Sequence, residues 1–308
     1  MKQIFVNLKR FDVPKSLGGI CPEESPEKWI RDTVRQSVGM GLGRIEGVTV
    51  TYFLPEALLL PALEELGKAE PSEVGRLFVG SQNVFRQDVQ EGKNFGAFTS
   101  NRPAAAMKAL GCGWSMIGHS EERRDKLEMM ELFAQTAGVK NAEPAEAAAV
   151  DILLNQEIRC ALERGISVLY CIGETEQQKG SDDPAIYEDR VRAVLKDQLV
   201  RGLQGTMELL GDREIVIGYE PIWAIGPGKT PPNGDYISFV SDYIQKVCRE
   251  EFGYEINVVY GGGLKEENAR EVASVSTIGG GLVALTKFTQ PIAFDVESLR
   301  NIILAYIQ

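Results

Sequence analysis

Apolar and polar positions divide the chain into two kinds of segment that take turns along its length. Short runs rich in β-branched and aromatic residues fall at 4–6, 48–52, 77–79, 115–117, 167–171, 215–219, 256–260 and, less sharply, 281–285. They are apolar at consecutive positions rather than at every second one, the pattern of strands covered on both faces. Between them lie longer stretches rich in Ala, Leu, Glu and Arg with helical spacing, at 27–38, 55–66, 102–110, 145–164, 187–203, 234–251, 265–273 and 295–307. Several open with Pro, Asp, Ser or Asn, residues suited to the first turn of a helix. Strands alternating with helices predict repeated βα units on a parallel sheet. A doubly wound open sheet would alternate in the same way, but eight units in 308 residues favour a closed (β/α)8 barrel. The chain therefore reads as one α/β domain over 1–308, with no internal repeat, low-complexity tract or linker. The irregular stretch is 125–150, longer and less patterned than its surroundings, which reads as an insertion on the barrel rim.

Composition narrows the function without naming it. Hydrophobic content of 44% and charged content of 25% are those of a soluble globular protein. A net charge of -11 argues against nucleic acid or an anionic membrane as partner, because such binders need a basic face. A small anionic substrate remains compatible, since basic groups can act locally in a pocket. The first residues enter a strand-like run and turn polar too soon for a signal peptide. No apolar stretch approaches the roughly 18 residues of a membrane span. Five cysteines, at 21, 112, 160, 171 and 248, are scattered without a CxxC pair. They predict free thiols in a reducing cytoplasm rather than disulfides or zinc, and Cys171 reads as core filling.

In a parallel barrel, functional groups collect where strands lead into helices. The single histidine, His119, stands at such a point, between an apolar run at 114–117 and a block of charges. Imidazole chemistry at neutral pH must run through it. The other strand ends bring Asn7 and Lys9, Gln82 and Asn83, Glu121, Glu174, and Glu220 with the segment 221–229. A further Gly-rich end closes at Gly263. A lysine, a histidine and a carboxylate from separate strands could converge on one small molecule. Gln82, Asn83 and Glu174 read as groups that order loops, and Trp223 as an anchor for the segment around it.

These residues resemble a known family. Asn-x-Lys at 7–9, Gln-Asn at 82–83, Ala-Phe-Thr at 97–99, Gly-His-Ser-Glu at 118–121, Cys-Ile-Gly-Glu-Thr at 171–175 and Tyr-Glu-Pro-Ile-Trp-Ala-Ile-Gly at 219–226 are similar, in order, to triosephosphate isomerase. The resemblance implies a TIM barrel and an aldose–ketose isomerisation of a short sugar phosphate through an enediolate. It assigns the base to Glu220, carbonyl polarisation to His119 and charge stabilisation to Lys9, with Asn7 orienting substrate and Glu121 supporting Lys9. It makes 221–229 a lid, whose Gly226 offers a backbone amide to phosphate and whose Pro227 stiffens the second hinge. It implies no metal and no organic cofactor, and a homodimer formed through the loop after the third strand.

The departures gather at the phosphate end. Gly263 stands where the family has serine, keeping a backbone donor and losing a hydroxyl. After the last strand, the phosphate-binding position falls on Ala284 and Leu285 in an ungapped comparison, or on 279–281 with a gap. Glu122 is an extra glutamate ahead of the arginines that normally follow the histidine motif. Glyceraldehyde 3-phosphate and dihydroxyacetone phosphate are the leading substrates. Another short sugar phosphate, such as a tetrulose phosphate, a non-catalytic sugar-phosphate-binding barrel, and a Schiff-base aldolase or epimerase acting through Lys9 stand as alternatives.

Overall fold

The computed structural model describes residues 1–308 except Pro227 and Thr289. Eight strands form one closed parallel barrel in chain order. They are β1 (Lys2–Asn7), β2 (Val48–Leu54), β3 (Leu77–Ser81), β4 (Trp114–Ile117), β5 (Ser167–Ile172), β6 (Ile215–Tyr219), β7 (Asn257–Tyr260) and β8 (Ile278–Val283). The helices are α1 (Pro26–Gly39), α2 (Glu56–Leu66), α3 (Pro71–Val74), α4 (Ala104–Leu110), α5 (Ser120–Ala137) and α6 (Glu143–Glu163), followed by α7 (Glu176–Lys179), α8 (Pro184–Leu203), α9 (Gly234–Phe252), α10 (Ala269–Ser274) and α11 (Val296–Ile307). The TIM-barrel reading holds.

Consecutive apolar residues in the strands serve two cores. Phe5, Phe53, Trp114, Met116, Leu169, Cys171, Val216, Val259 and Leu282 fill the barrel interior. Phe5 stacks on Phe53 at 5.6 Å and meets Trp114 edge-on at 5.1 Å. Their neighbours, such as Val6, Tyr52, Ile117, Tyr170 and Ile217, face outward and pack under the helices. Alternate positions thus point to opposite sides, yet both sides are dry, and the polar face that would reveal a strand by period two is missing. All five cysteines are free, and burial pushes the Cys171 thiol well up.

Three segments differ from the sequence expectation. The last strand starts earlier, because Gly279 and Gly280 belong to the barrel seam. A Cβ on Gly279 would lie 1.8 Å from Asn257 Oδ1, and one on Gly280 1.8 Å from the Gln3 carbonyl oxygen. Gly280 pairs with Gln3 and Gly281 with Ile4. Ala284 and Leu285 therefore follow the strand end, which selects the ungapped register. The helix expected at 265–273 is reduced to α10, since Asn268 shapes a turn instead. Its Oδ1 accepts the Lys265 N–H at 2.8 Å, and its Nδ2 donates to the Gly263 carbonyl at 3.1 Å. The region 125–150 is mostly helical, as the second half of α5 and the start of α6. Met129, Leu132 and Phe133 on α5 are exposed, so its apolar residues do not form the core-facing stripe by which a helix is read.

Candidate active site

β1 delivers Asn7 and Lys9 to the C-terminal mouth of the barrel. Asn7 is buried, and its Oδ1 accepts the Lys9 N–H at 2.9 Å and the Gln82 amide at 3.1 Å. Gln82 also donates to the Lys9 carbonyl at 2.9 Å. These bonds hold Lys9 at φ 40°, a left-handed conformation that a non-glycine residue adopts only when its surroundings impose it. Its ammonium lies 3.9 Å from Glu121 Oε1, a long and half-exposed ion pair that leaves the lysine free to serve a ligand.

β4 leads into Gly118, and His119 caps the 18-residue helix α5 with its own side chain. Nδ1 accepts the Glu121 N–H at 3.3 Å. A ring nitrogen that accepts carries no proton, so the hydrogen-bond network assigns the neutral tautomer with its hydrogen on Nε2. That Nε2 lies 3.3 Å from Glu220 Oε1. Below this turn, Arg123 donates to the carbonyls of Gly118 and Cys171 at 3.0 and 3.1 Å, to Asp151 at 2.8 Å and to the Tyr170 hydroxyl at 2.9 Å.

Glu220 follows β6 and is buried. Its Oε2 accepts the Ser120 N–H at 3.0 Å, and its Oε1 accepts the Ser120 hydroxyl at 3.4 Å. The carboxylate thus rests on the positive end of α5, where free N–H groups favour an anion. Ser120 has no role in the sequence reading beyond its place in the histidine motif. Its position as the first helical residue after the cap is the signal that could have found it.

The extra glutamate proves to be structural support. Glu122 Oε2 accepts the Gly118 N–H at 2.7 Å, and Oε1 accepts from Lys126 at 2.7 Å and Asn83 at 3.3 Å. Lys126 also reaches Glu157 at 3.1 Å. Burial opposes the charge on Glu122, yet Lys126, Glu157 and the Gly118 N–H keep its carboxyl below the ordinary value. Burial first, and Glu122 second, push Glu157 well above it. Lys126 and Glu157 are invisible to motif reading, because α6 supplies Glu157 from 31 positions along the chain.

The start of the segment after β6 is rooted on Glu174. That fully buried carboxylate accepts from Trp223 Nε1 at 2.7 Å, Tyr236 at 2.7 Å and Tyr219 at 2.9 Å. Burial raises its carboxyl, and the three donors offset part of that rise. Gly226 accepts the Lys229 N–H at 3.3 Å through its carbonyl, whereas Pro227 lies outside the described residues. Gly263 follows β7 at φ 92° with open space on the side where a Cβ would stand. Asn7, Lys9, His119, Glu121 and Glu220 form one connected cluster. Gly226 and Gly263 sit on separate loops at the same end of the barrel, with no hydrogen bond to that cluster among the described residues. Also among the described residues, no group of three His, Cys, Asp or Glu side chains is placed to hold a metal ion. No helix among the described residues is long and apolar enough to cross a membrane.

A carboxylate, a neutral imidazole and an ammonium at the mouth of a parallel barrel are the equipment of an acid–base enzyme of the (β/α)8 class. The sequence profile of triosephosphate isomerase matches residues 48–294. The triosephosphate isomerase of Alkaliphilus metalliredigens is 32% identical over 241 residues, 77% of this chain and 80% of that protein. That of Chloroherpeton thalassium is 30% identical over 209 residues, 67% of this chain and 69% of that protein. The crystal structure of triosephosphate isomerase from Bartonella henselae superimposes with a TM-score of 0.66 at 22% identity, covering 100% of this chain and 99% of that one. The chain belongs to the triosephosphate isomerase family.

Proposed function

We propose that this protein is an aldose–ketose isomerase interconverting glyceraldehyde 3-phosphate and dihydroxyacetone phosphate. The observation that carries the reading is the placement of Glu220, a buried carboxylate 3.3 Å from His119 Nε2 and hydrogen-bonded to Ser120. Glu220 leaves Ser120 to take the proton from the carbon beside the substrate carbonyl, whose electron pair moves to the carbonyl oxygen. His119 Nε2–H faces the two oxygens, donating to the one that gains charge, while Lys9 stabilises the enediolate. Glu220 then returns its proton to the former carbonyl carbon, while His119 gives that carbon's oxygen its Nε2 proton and takes the proton of the other oxygen, so the new carbonyl forms on the carbon that first lost its proton. Asn7 orients the substrate, Glu121 supports Lys9, and Gly226 and Gly263 offer backbone amides to phosphate.

The phosphate end favours a second reading. With Ala284 and Leu285 after β8 and no hydroxyl at Gly263, an isomerase of another short sugar phosphate, such as a tetrulose phosphate, has the same proton-transfer equipment. Interconversion rates with three- and four-carbon sugar phosphates decide between them. Glu220→Gln is expected to abolish most of the activity on whichever substrate is used, and unchanged activity would refute Glu220 as base. A borohydride-trapped adduct at Lys9 would replace the isomerase mechanism with a Schiff base.

The protein works as one barrel domain with 125–150 as a rim insertion, as a homodimer paired through the loop after β3, and in cytoplasmic triose phosphate metabolism, glycolytic or gluconeogenic. The five unpaired cysteines support a reducing compartment. Sizing in solution tests the dimer.

A further inference from the structure

The short helix α7 touches both ends of the lid segment. At its last residue, the Lys179 side chain is 9% exposed, a level at which an ammonium needs compensation. Its carboxylate partner is Asp182, which stands in solvent. The rest of its surroundings are aromatic: Nζ lies 4.1 Å from the centroid of Trp223, 5.5 Å from that of Tyr187 and 5.9 Å from that of Tyr236. At the other end of α7, Glu176 Oε2 is 3.3 Å from Lys229 Nζ. The helix itself is fixed independently of the lid. Thr175 and Gln178 close it with reciprocal caps, and Arg190 of α8 donates to the carbonyls of Gln177 and Gln178 at 2.8 and 2.9 Å.

The Trp223 indole is thereby restrained in three directions. Glu174 takes its N–H in the plane of the ring, Tyr236 meets it edge-on at 5.5 Å between centroids, and Lys179 sits over its face. Beside this contact lies a cavity of about 170 Å³ lined by Glu176, Lys179, Gly180, Ser181, Asp182 and Trp223. On the cavity side the indole meets the ammonium rather than close-packed apolar side chains, so Lys179 is the restraint on that face. Trp223 is three positions beyond Glu220. We infer that Lys179 is a positioning residue for the isomerisation, holding the root of the lid through Trp223 and so the approach of Glu220, with Glu176 fastening the far end at Lys229. This rests on the assignment of Glu220 as base.

Lys179→Met keeps the length and removes the charge, whereas Lys179→Arg keeps a cation able to stack on the indole. In the Met variant kcat with glyceraldehyde 3-phosphate is expected to fall about 5- to 10-fold with KM within about twofold, and the Arg variant to recover to within about twofold of wild type. Acrylamide quenching without substrate reports on Trp223, since Trp29 and Trp114 are buried, and is expected to rise about twofold in the Met variant. Unchanged quenching and kcat in the Met variant, or equal losses in Met and Arg, would overturn the inference. A wild-type chain with no isomerase activity would overturn the base assignment alone, and the quenching comparison would still decide whether Lys179 holds the indole. Glu176→Gln, at an exposed position that does not threaten folding, tests the far end. A roughly twofold loss of kcat at low salt that vanishes at about 1 M salt supports the fastening, and no loss at either salt concentration refutes it.

Discussion

The two halves of the barrel mouth are built on different principles. On one side, β1, β3, β4 and β6 end in side chains that contact one another: Asn7 with Gln82, Lys9 with Glu121, and His119 with Glu220. On the other, β7 and β8 end in Gly263, Ala284 and Leu285, where backbone amides would have to meet an anion. Side-chain chemistry demands particular residue types, because proton transfer needs a carboxylate and an imidazole within hydrogen-bond reach. Backbone amides are present whatever the residue, so the anion-holding half tolerates replacement as long as the side chains leave room. That contrast explains how the proton-transfer motif can be retained while the phosphate end has changed.

The sharpest way to break the comparison is at the histidine. His119→Gln is expected to lower kcat by about 10²- to 10³-fold with little change in KM, as measured by steady-state isomerisation. A change confined to KM would place His119 in substrate holding instead. Next in size is Glu174→Leu, which leaves three donors, on buried Tyr219 and Tyr236 and half-buried Trp223, without their acceptor. A loss of about 3–5 kcal/mol in urea unfolding is expected, and a loss below about 1 kcal/mol would mean that the segment around Trp223 does not depend on this carboxylate. At the phosphate end, Leu285→Gly should lower KM for the sugar phosphate about 3- to 10-fold and leave kcat within about twofold. An unaltered KM would show that the anion is held elsewhere.

The smallest expected effect concerns the support behind His119. Burial and the neighbouring Glu122 push Glu157 well above the ordinary glutamate value of 4.5. The folded chain then keeps a proton that the unfolded chain releases, so the Glu157 contribution is complete below 4.5 and is lost as pH rises towards the folded-state value. Glu157→Gln removes that dependence. Relative to the variant, wild-type stability should decline with rising pH, by at most about 1.4 kcal/mol per unit. Parallel stability curves from pH 4 to 8 would show that Glu157 ionises normally.

Much of the fold is legible from the chain because both faces of each strand are apolar and each helix is polar on one side. Where that contrast fails, reading fails. The glycines at 279–281 look like a phosphate loop, but two of them are glycine because Asn257 and Gln3 pack against the strand. The second half of α5 exposes its apolar side chains, so its helical period does not separate a wet face from a dry one. Lys265 looks helical by composition, yet the Asn268 side chain takes its N–H and delays the helix. Among site residues, Lys9, His119 and Glu220 stand out because their types are rare at the ends of apolar strands. Ser120, Glu157 and Lys179 do not, because their significance comes from contacts that no spacing reveals.

By itself, the sequence determined the order of strands and helices, the placing of Lys9, His119 and Glu220 at strand ends and the restriction of imidazole chemistry to His119. Those follow from local periodicity and residue type, which the chain carries wherever it folds. Only the tertiary structure decided that Glu220 rests on Ser120, that Glu122 braces the turn before His119, that Ala284 and Leu285 follow the last strand, and that α7 meets Trp223 at one end and Lys229 at the other. Each of these depends on groups distant in the chain meeting within a few ångströms, and hydrogen bonds and charge pairs at that range are set by barrel closure rather than by neighbours in sequence.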